Sequence, residues 1–278
     1  MNRIYNKKKK EITIHFVSDS TGETIDAAVV AVLAQFPEVK KKEFFWPMVR
    51  SVEQIENILE NAIKNPGIVV YSIIDDRNRK VLENGCKKQK LPFISPLDSL
   101  FDIIKGNISI VQSKIAGSQH RIDENYLKKV NAFEYAMQHD DGQKISTMRE
   151  ADIIIVGVSR TSKTPTCIYL ANKGLKVSNI PLVSNTRLPD ELFTFSKPLI
   201  VGLIKDPRSL MHIRQTRLRL IGEQHTTQYA DINSIKSEII QARKIFTKHG
   251  WPTIDVSRRS VEETSASIIQ IFNQRKRK

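Results

Sequence analysis

The run Gly157-Val158-Ser159-Arg160-Thr161-Ser162-Lys163-Thr164 follows the apolar stretch Asp152-Ile153-Ile154-Ile155-Val156 and precedes Pro165-Thr166-Cys167-Ile168-Tyr169-Leu170-Ala171. The consecutive branched aliphatics from Ile153 to Val156 predict a buried strand, and the residues after them predict a tight loop opening a helix. A loop in that context converges its backbone N–H groups on an anion, and a lysine supplies a point charge to the outer phosphates. Lys163 stands in that position. Thr164 stands where Mg²⁺ bridging two phosphates takes a hydroxyl ligand. Pro165 suits a first helical turn, where its missing N–H breaks no bond. The usual pattern G-x-x-x-x-G-K-[ST] has a second Gly where this chain has Ser162, so the loop must tolerate a Cβ there. An ordinary strand-turn-helix with Ser and Thr capping the helix is the alternative reading of these residues.

Outward from this run, strands alternate with helices. Ile12 to Val17 predicts a strand, with Ser18-Asp19-Ser20-Thr21-Gly22-Glu23 as the loop at its end. A helix with Ile25, Ala28, Val29, Val32, Leu33 and Phe36 on one face comes next, stopped by Pro37. Another helix is expected from Val52 to Ile63, a strand from Gly67 to Ile74, and a helix from Arg79 to Gln89. Helices then dominate, around Leu100 to Ile104 and from Tyr126 to Gln138, the last ending at His139-Asp140-Asp141-Gly142. That Asp pair beside a His suits either a metal site or a polar helix end. After the 157–164 loop come strands at 175–182 and 198–205, an Arg-rich helix from Arg208 to Arg219, a helix from Asn233 to Lys248, the strand 253–256, and a closing helix behind the capping box Ser260-Val261-Glu262-Glu263. The expectation is an α/β protein of mostly parallel sheets with flanking helices, the second half carrying a P-loop-like nucleotide site. Its expected divisions are a basic tail at 1–11, an N-terminal α/β half at 12–145, a C-terminal α/β half at 150–274, and a basic tail at 275–278.

Asp19, Asp75 and Asp206 each come after a predicted strand at its C-terminal end, and Asp255 lies in the last strand. Open parallel sheets bind ligands outside those ends, so Asp19, Asp206 and Asp255 are candidate catalytic acids or bases beside Lys163. Each also suits helix or turn capping. The Arg-rich helix suits either incoming phosphate or a solvated basic face.

The 278 residues, 40% hydrophobic, can bury a sizeable core. Cys86 and Cys167 lack any metal-ligand spacing and read as small buried hydrophobes. No apolar run approaches the roughly 20 residues of a membrane-crossing helix, and Met1 to Asn6 leads into lysines, so a cytoplasmic location is expected. Lys+Arg 44 against Asp+Glu 30 gives a net charge of +14, which implies an anionic partner. Lys7 to Lys10 and Arg275 to Lys278 read as solvated, mobile ends that account for part of the excess. Nucleic acid is not the expected partner: aromatics are only 7% and no RNA- or DNA-binding signature is present.

Several stretches together resemble one family, the bifunctional regulatory proteins of pyruvate, phosphate dikinase and of phosphoenolpyruvate synthase. They are His15 to Thr24, Val70-Tyr71-Ser72-Ile73, His139 to Gly142, Gly157 to Thr166 and Asp255 to Thr264. The resemblance implies an ADP-dependent protein-threonine kinase that inactivates the dikinase by phosphorylating a Thr beside its catalytic His. It further implies a phosphorylase that removes that group with inorganic phosphate, giving pyrophosphate and restoring activity. Carried over, the nucleotide site falls on Gly157, Val158, Ser159, Arg160, Thr161, Ser162, Lys163 and Thr164, with Mg²⁺ expected at Thr164. Pyruvate, phosphate dikinase is the expected partner, and a homo-oligomer is compatible with the family. The synthase as target, a small-metabolite kinase, a non-catalytic nucleotide sensor and a basic nucleic-acid-binding protein are the rival readings.

Overall fold

The computed structural model describes residues 11–110, 112–118, 122–183, 187–222 and 228–277. The expected tail at Lys7 to Lys10 lies outside them. Two compact units divide the chain, Met1–Arg121 and Ile122–Lys278. Residues 122–145, expected with the first half, therefore belong to the second unit.

The first unit runs β1 (Glu11–Ser18), α1 (Glu23–Leu33), β2 (Lys40–Trp46), α2 (Val52–Lys64), β3 (Ile68–Ser72), α3 (Asp76–Lys88), β4 (Phe93–Ile94) and α4 (Asp98–Asn107). Its sheet has the order β2-β1-β3-β4, with every pairing parallel. Alternation along β1 places Ile14 and Phe16 with Ile25 of α1, while Val17 joins Ile55, Ile58, Leu82 and Cys86 of α2 and α3. The apolar face expected on α1 is only partly used. Ile25 is buried, Val29 and Leu33 are half-buried, and Val32 and Phe36 stay exposed. Strand β2 was not expected, because its opening Lys-Lys-Lys-Glu hides any alternation; such charge is how an edge strand resists pairing with other chains.

The second unit runs α5 (Glu124–Gln138), short 3-10 turns at Asp140–Gly142 and Ile145–Glu150, β5 (Ile153–Val158), α6 (Lys163–Ala171), β6 (Val177–Leu182), a 3-10 turn at Asp190–Thr194 and β7 (Leu199–Ile204). It continues with α7 (Pro207–Leu220), a 3-10 turn at Gln228–Ala230, α8 (Ile232–Lys248), β8 (Thr253–Asp255) and α9 (Val261–Lys276). Its sheet, β6-β5-β7-β8, is again wholly parallel. All six residues of β5 are buried. Ile153 and Ile155 pack under α6 and α9, whereas Ile154, Val156 and Val158 pack under α7 and α8. A central parallel strand covered on both faces must be apolar throughout, which is why it reads as a run and not an alternation.

Arg275 and Lys276 do not form the mobile tail expected from their charges. Helix α9 continues through Lys276, and the Arg275 guanidinium donates to the carbonyls of Pro198 and Ser196 at 2.6 Å each. Both cysteines are buried as expected, and burial pushes their thiols up, Cys86 to about 11 and Cys167 to about 12. Neither is a nucleophile near neutral pH. No described helix is long and apolar enough to cross a membrane.

Candidate functional site

The end of β5, leading into the loop before α6, holds a residue that only glycine can occupy. A Cβ on Gly157 would stand 2.7 Å from the Leu203 carbonyl oxygen and 2.9 Å from Thr161 Oγ1. Thr161, fully buried, donates its hydroxyl to the Val158 carbonyl at 2.9 Å and closes the turn. Arg160 and Ser162 both take left-handed backbone, with φ of 72° and 62°. Ser162, where the usual pattern has Gly, therefore adopts the conformation that glycine would, at a cost of about 1–2 kcal/mol for an L-residue. It is also the N-cap of α6 and makes no side-chain cap bond. Pro165 falls in the first turn of α6, as expected.

Lys163 is buried, 6% exposed, and its Nζ donates back to the Val158 carbonyl at 3.1 Å. Burial is the main influence on its ammonium and pushes it down to about 8, partly opposed by the charges of Asp141 and Asp140. Those two acids are the ones the fold brings to the loop. Asp140 accepts from Thr164 Oγ1 at 3.0 Å and from Asn179 Nδ2 of β6. Asp141, at a φ of 49°, donates its own N–H to Asn179 Oδ1 at 3.3 Å. His139 takes no part: its ring is buried, stacks on Tyr135 and bonds the Tyr135 carbonyl and Thr147 Oγ1. The sequence signal was therefore present in His139-Asp140-Asp141-Gly142, but spacing alone could not separate a structural His from two site carboxylates.

A cavity of about 510 Å³ opens beside the loop, with Asp141, Ser159, Lys163, Leu182, Arg214 and Tyr229 in its wall. The acids predicted from strand ends are not in that wall. Asp206 caps α7, its Oδ1 accepting from the Ser209 N–H at 2.9 Å and from the Ser209 hydroxyl at 3.1 Å. Asp255 accepts from the Ser257 N–H at 2.9 Å and from the Ser257 hydroxyl. For these two residues the turn-capping reading describes the geometry. Asp19 belongs to the first unit, where it is 3% exposed and accepts from the Ile74 N–H at 2.6 Å; burial raises its pKa. Asp75 caps α3 through the Asn78 N–H. Among the arginines of α7, Arg208, Arg217 and Arg219 are exposed and Arg214 is buried.

The donor set around Thr164 suits a hard cation. A hydroxyl and a carboxylate 3.0 Å apart are oxygen donors of the kind Mg²⁺ prefers, an ion that takes one or two protein ligands and completes its shell with water and phosphate oxygens. Among the described residues no group of three or more His, Cys, Asp or Glu forms a metal cage.

Comparison with known proteins finds relatives over nearly the whole chain. The family model described as kinase/pyrophosphorylase matches residues 14–269. A protein of Paramagnetospirillum magneticum named "Putative pyruvate, phosphate dikinase regulatory protein" is 43% identical over 265 residues, covering 95% of this chain and 85% of its own length. Proteins of the same name from Caulobacter vibrioides and Novosphingobium aromaticivorans are 43% identical over 260 residues and 41% identical over 266. They cover 94% and 96% of this chain, and 82% and 95% of their own lengths. With the match spanning most of each unit, this chain belongs to the kinase/pyrophosphorylase family.

Proposed function

We propose that this protein regulates pyruvate, phosphate dikinase by two opposed phosphoryl transfers: ADP-dependent phosphorylation of a target Thr, and phosphate-dependent removal of that group as pyrophosphate. The observation that carries the proposal is the loop itself, with Lys163 lining a 510 Å³ cavity and the Thr164–Asp140 pair beside it. The names of the relatives support the choice of target.

Phosphoryl transfer asks a protein for positioning and charge neutralisation more than for covalent chemistry. Residues Gly157 to Thr164 hold the diphosphate, with Lys163 neutralising its outer oxygens. Thr164 and Asp140 would hold Mg²⁺, which would supply further positive charge to the phosphates. In the kinase direction the target hydroxyl oxygen bonds to the terminal phosphorus of ADP, the bridging P–O bond breaks, and AMP leaves with the electron pair. Asp141 takes the hydroxyl proton. This replaces Asp206 and Asp255 in the base role, because Asp141 lines the cavity and their carboxylates hold Ser209 and Ser257. In the reverse direction a phosphate oxygen attacks the phosphothreonine phosphorus, the Oγ–P bond breaks, Oγ recovers a proton, and pyrophosphate departs.

The test is the intact mass of purified dikinase after incubation with this protein, Mg²⁺ and ADP, followed by phosphate. The expected result is one phosphoryl group gained on a Thr and then lost with release of pyrophosphate. An unchanged mass under both conditions defeats the proposal, and gain with ATP alone replaces ADP as donor.

A further inference from the structure

Arg214 is 1% exposed, yet its guanidinium reaches three separate elements. Nη2 donates to the Ser159 carbonyl of the loop at 3.3 Å and to Glu238 Oε2 of α8 at 2.7 Å. Nη1 donates to the Tyr229 carbonyl at 2.8 Å and to Glu238 Oε1 at 3.3 Å. The guanidinium carbon also lies 4.5 Å from the centroid of the Tyr229 ring, stacked on it. Tyr229 in turn meets the loop, its hydroxyl 3.1 Å from Ser159 Oγ and 3.3 Å from Arg160 Nε. Ser159 is therefore gripped twice, at its carbonyl by Arg214 and at its hydroxyl by Tyr229.

We infer that Arg214, with Tyr229, is a positioning residue that holds the 157–164 loop in its strained shape. Two features point beyond mere stability. The residue after Ser159 is Arg160 at φ 72°, and Ser162 lies two further on at 62°; left-handed non-glycine residues persist only where their surroundings over-determine them. Moreover, a buried ion pair gains little net stability once both charges are desolvated, and Arg214 Nε has no hydrogen-bond partner among the described residues. An incompletely satisfied buried arginine is a poor stabiliser but a good ruler, because its rigid planar fork holds four acceptor atoms on three residues in fixed directions. Lysine, a flexible point charge, cannot reproduce that fork. The basic helix α7 thus turns one arginine inward to hold the loop, while its exposed arginines face solvent. The effect on nucleotide binding rests on the phosphate reading of the loop; the effect on loop shape does not.

Amide hydrogen exchange of the full chain without nucleotide, read on peptides covering 157–164, tests the loop, and calorimetric titration with Mg–ADP tests the consequence. R214K is expected to exchange roughly tenfold faster in the loop, with α6 beyond Thr166 and the melting temperature unchanged, and to bind Mg–ADP roughly tenfold more weakly. Y229F, which keeps the buried charge pair, is expected to show the same pattern at about threefold. Loop exchange in R214K equal to the parent overturns the inference; if R214K does not fold, unchanged exchange in Y229F does so. Should the parent chain not bind Mg–ADP while loop exchange responds as stated, the phosphate reading falls and the positioning role stands.

Discussion

The two units share one plan and use it differently. Each sheet places its first strand second in the order, β2-β1-β3-β4 and β6-β5-β7-β8, so β1 and β5 are equivalent and each leads into a loop and a helix. In the first unit that loop carries a buried carboxylate, Asp19, pinned to the Ile74 N–H, and enters α1 through Gly22 at a φ of 85°. In the second it carries a buried ammonium, Lys163, and enters α6 through Ser162 at 62°. Parallel sheets of this order offer a ligand crevice where the connections diverge on either side of the first strand. Topology therefore offers two such places, and charge separates them: one loop buries a carboxylate, the other an ammonium.

The sharpest way to break this comparison is to remove the ammonium. Lys163→Ala is expected to abolish phosphoryl transfer, a loss of at least ~10³-fold, or about 4 kcal/mol of transition-state stabilisation. Denaturation of the second unit should be unchanged or shifted to higher denaturant, because a desolvated charge has gone. Activity retained in this variant would remove the loop from the chemistry, whatever the first unit does.

Next in size is a pH response that should differ between units. Lys163 falls from 10.5 to about 8 in the folded chain, so between those pH values the unfolded chain binds more protons and the second unit gains stability as pH rises, by about 3 kcal/mol in all. In the first unit the ring of His15 is buried; its Nε2 donates to the Asn65 carbonyl and its Nδ1 accepts from Trp46 Nε1, an arrangement only the neutral ring can make. Burial lowers its pKa below 6.5, so the first unit should lose stability as pH drops below 6.5. Each unit has one tryptophan, Trp46 and Trp251, so W251F and W46F variants let denaturant titrations follow the units separately. Lys163→Ala must abolish the alkaline gain; a gain that survives it has another origin.

The smallest effect concerns the helix entries. Ser162→Gly is expected to stabilise the second unit by about 0.5–1 kcal/mol, since relief of left-handed strain exceeds the entropy that glycine adds to the unfolded chain. The reciprocal Gly22→Ser should destabilise the first unit by about 1–2 kcal/mol. Equal and negligible shifts in denaturation midpoint would mean that neither entry is strained.

Much of this was legible in the residues. Ile153 to Val156 announces a central strand because both faces of a buried parallel strand need aliphatics, and Ser260 to Glu263 forms the capping box its spacing predicts. The loop carrying Lys163 and Thr164 was visible because its parts are local: strand end, loop and helix start are consecutive. The base was not. Asp206 and Asp255 stand at strand ends, where a sheet's ligands gather, but their hydroxyl neighbours Ser209 and Ser257 are near in sequence and take the carboxylates. Asp140 and Asp141 reach the loop only because β6 lies against β5 and brings Asn179 beneath them.

By itself, then, the sequence determined whatever depends on neighbours a few residues apart: the periodicity of strands and helices, the caps, the anion-ready loop and the family to which it belongs. Tertiary structure decided what depends on long-range pairing. It placed the edge strand β2 against β1 despite its lysines, carried Asp140 to Thr164, and turned Arg214 inward to Ser159, Tyr229 and Glu238. The reason is that charge on a side chain says nothing about its burial. Only the packing of other elements around it determines whether a charge meets water, a partner or a ligand.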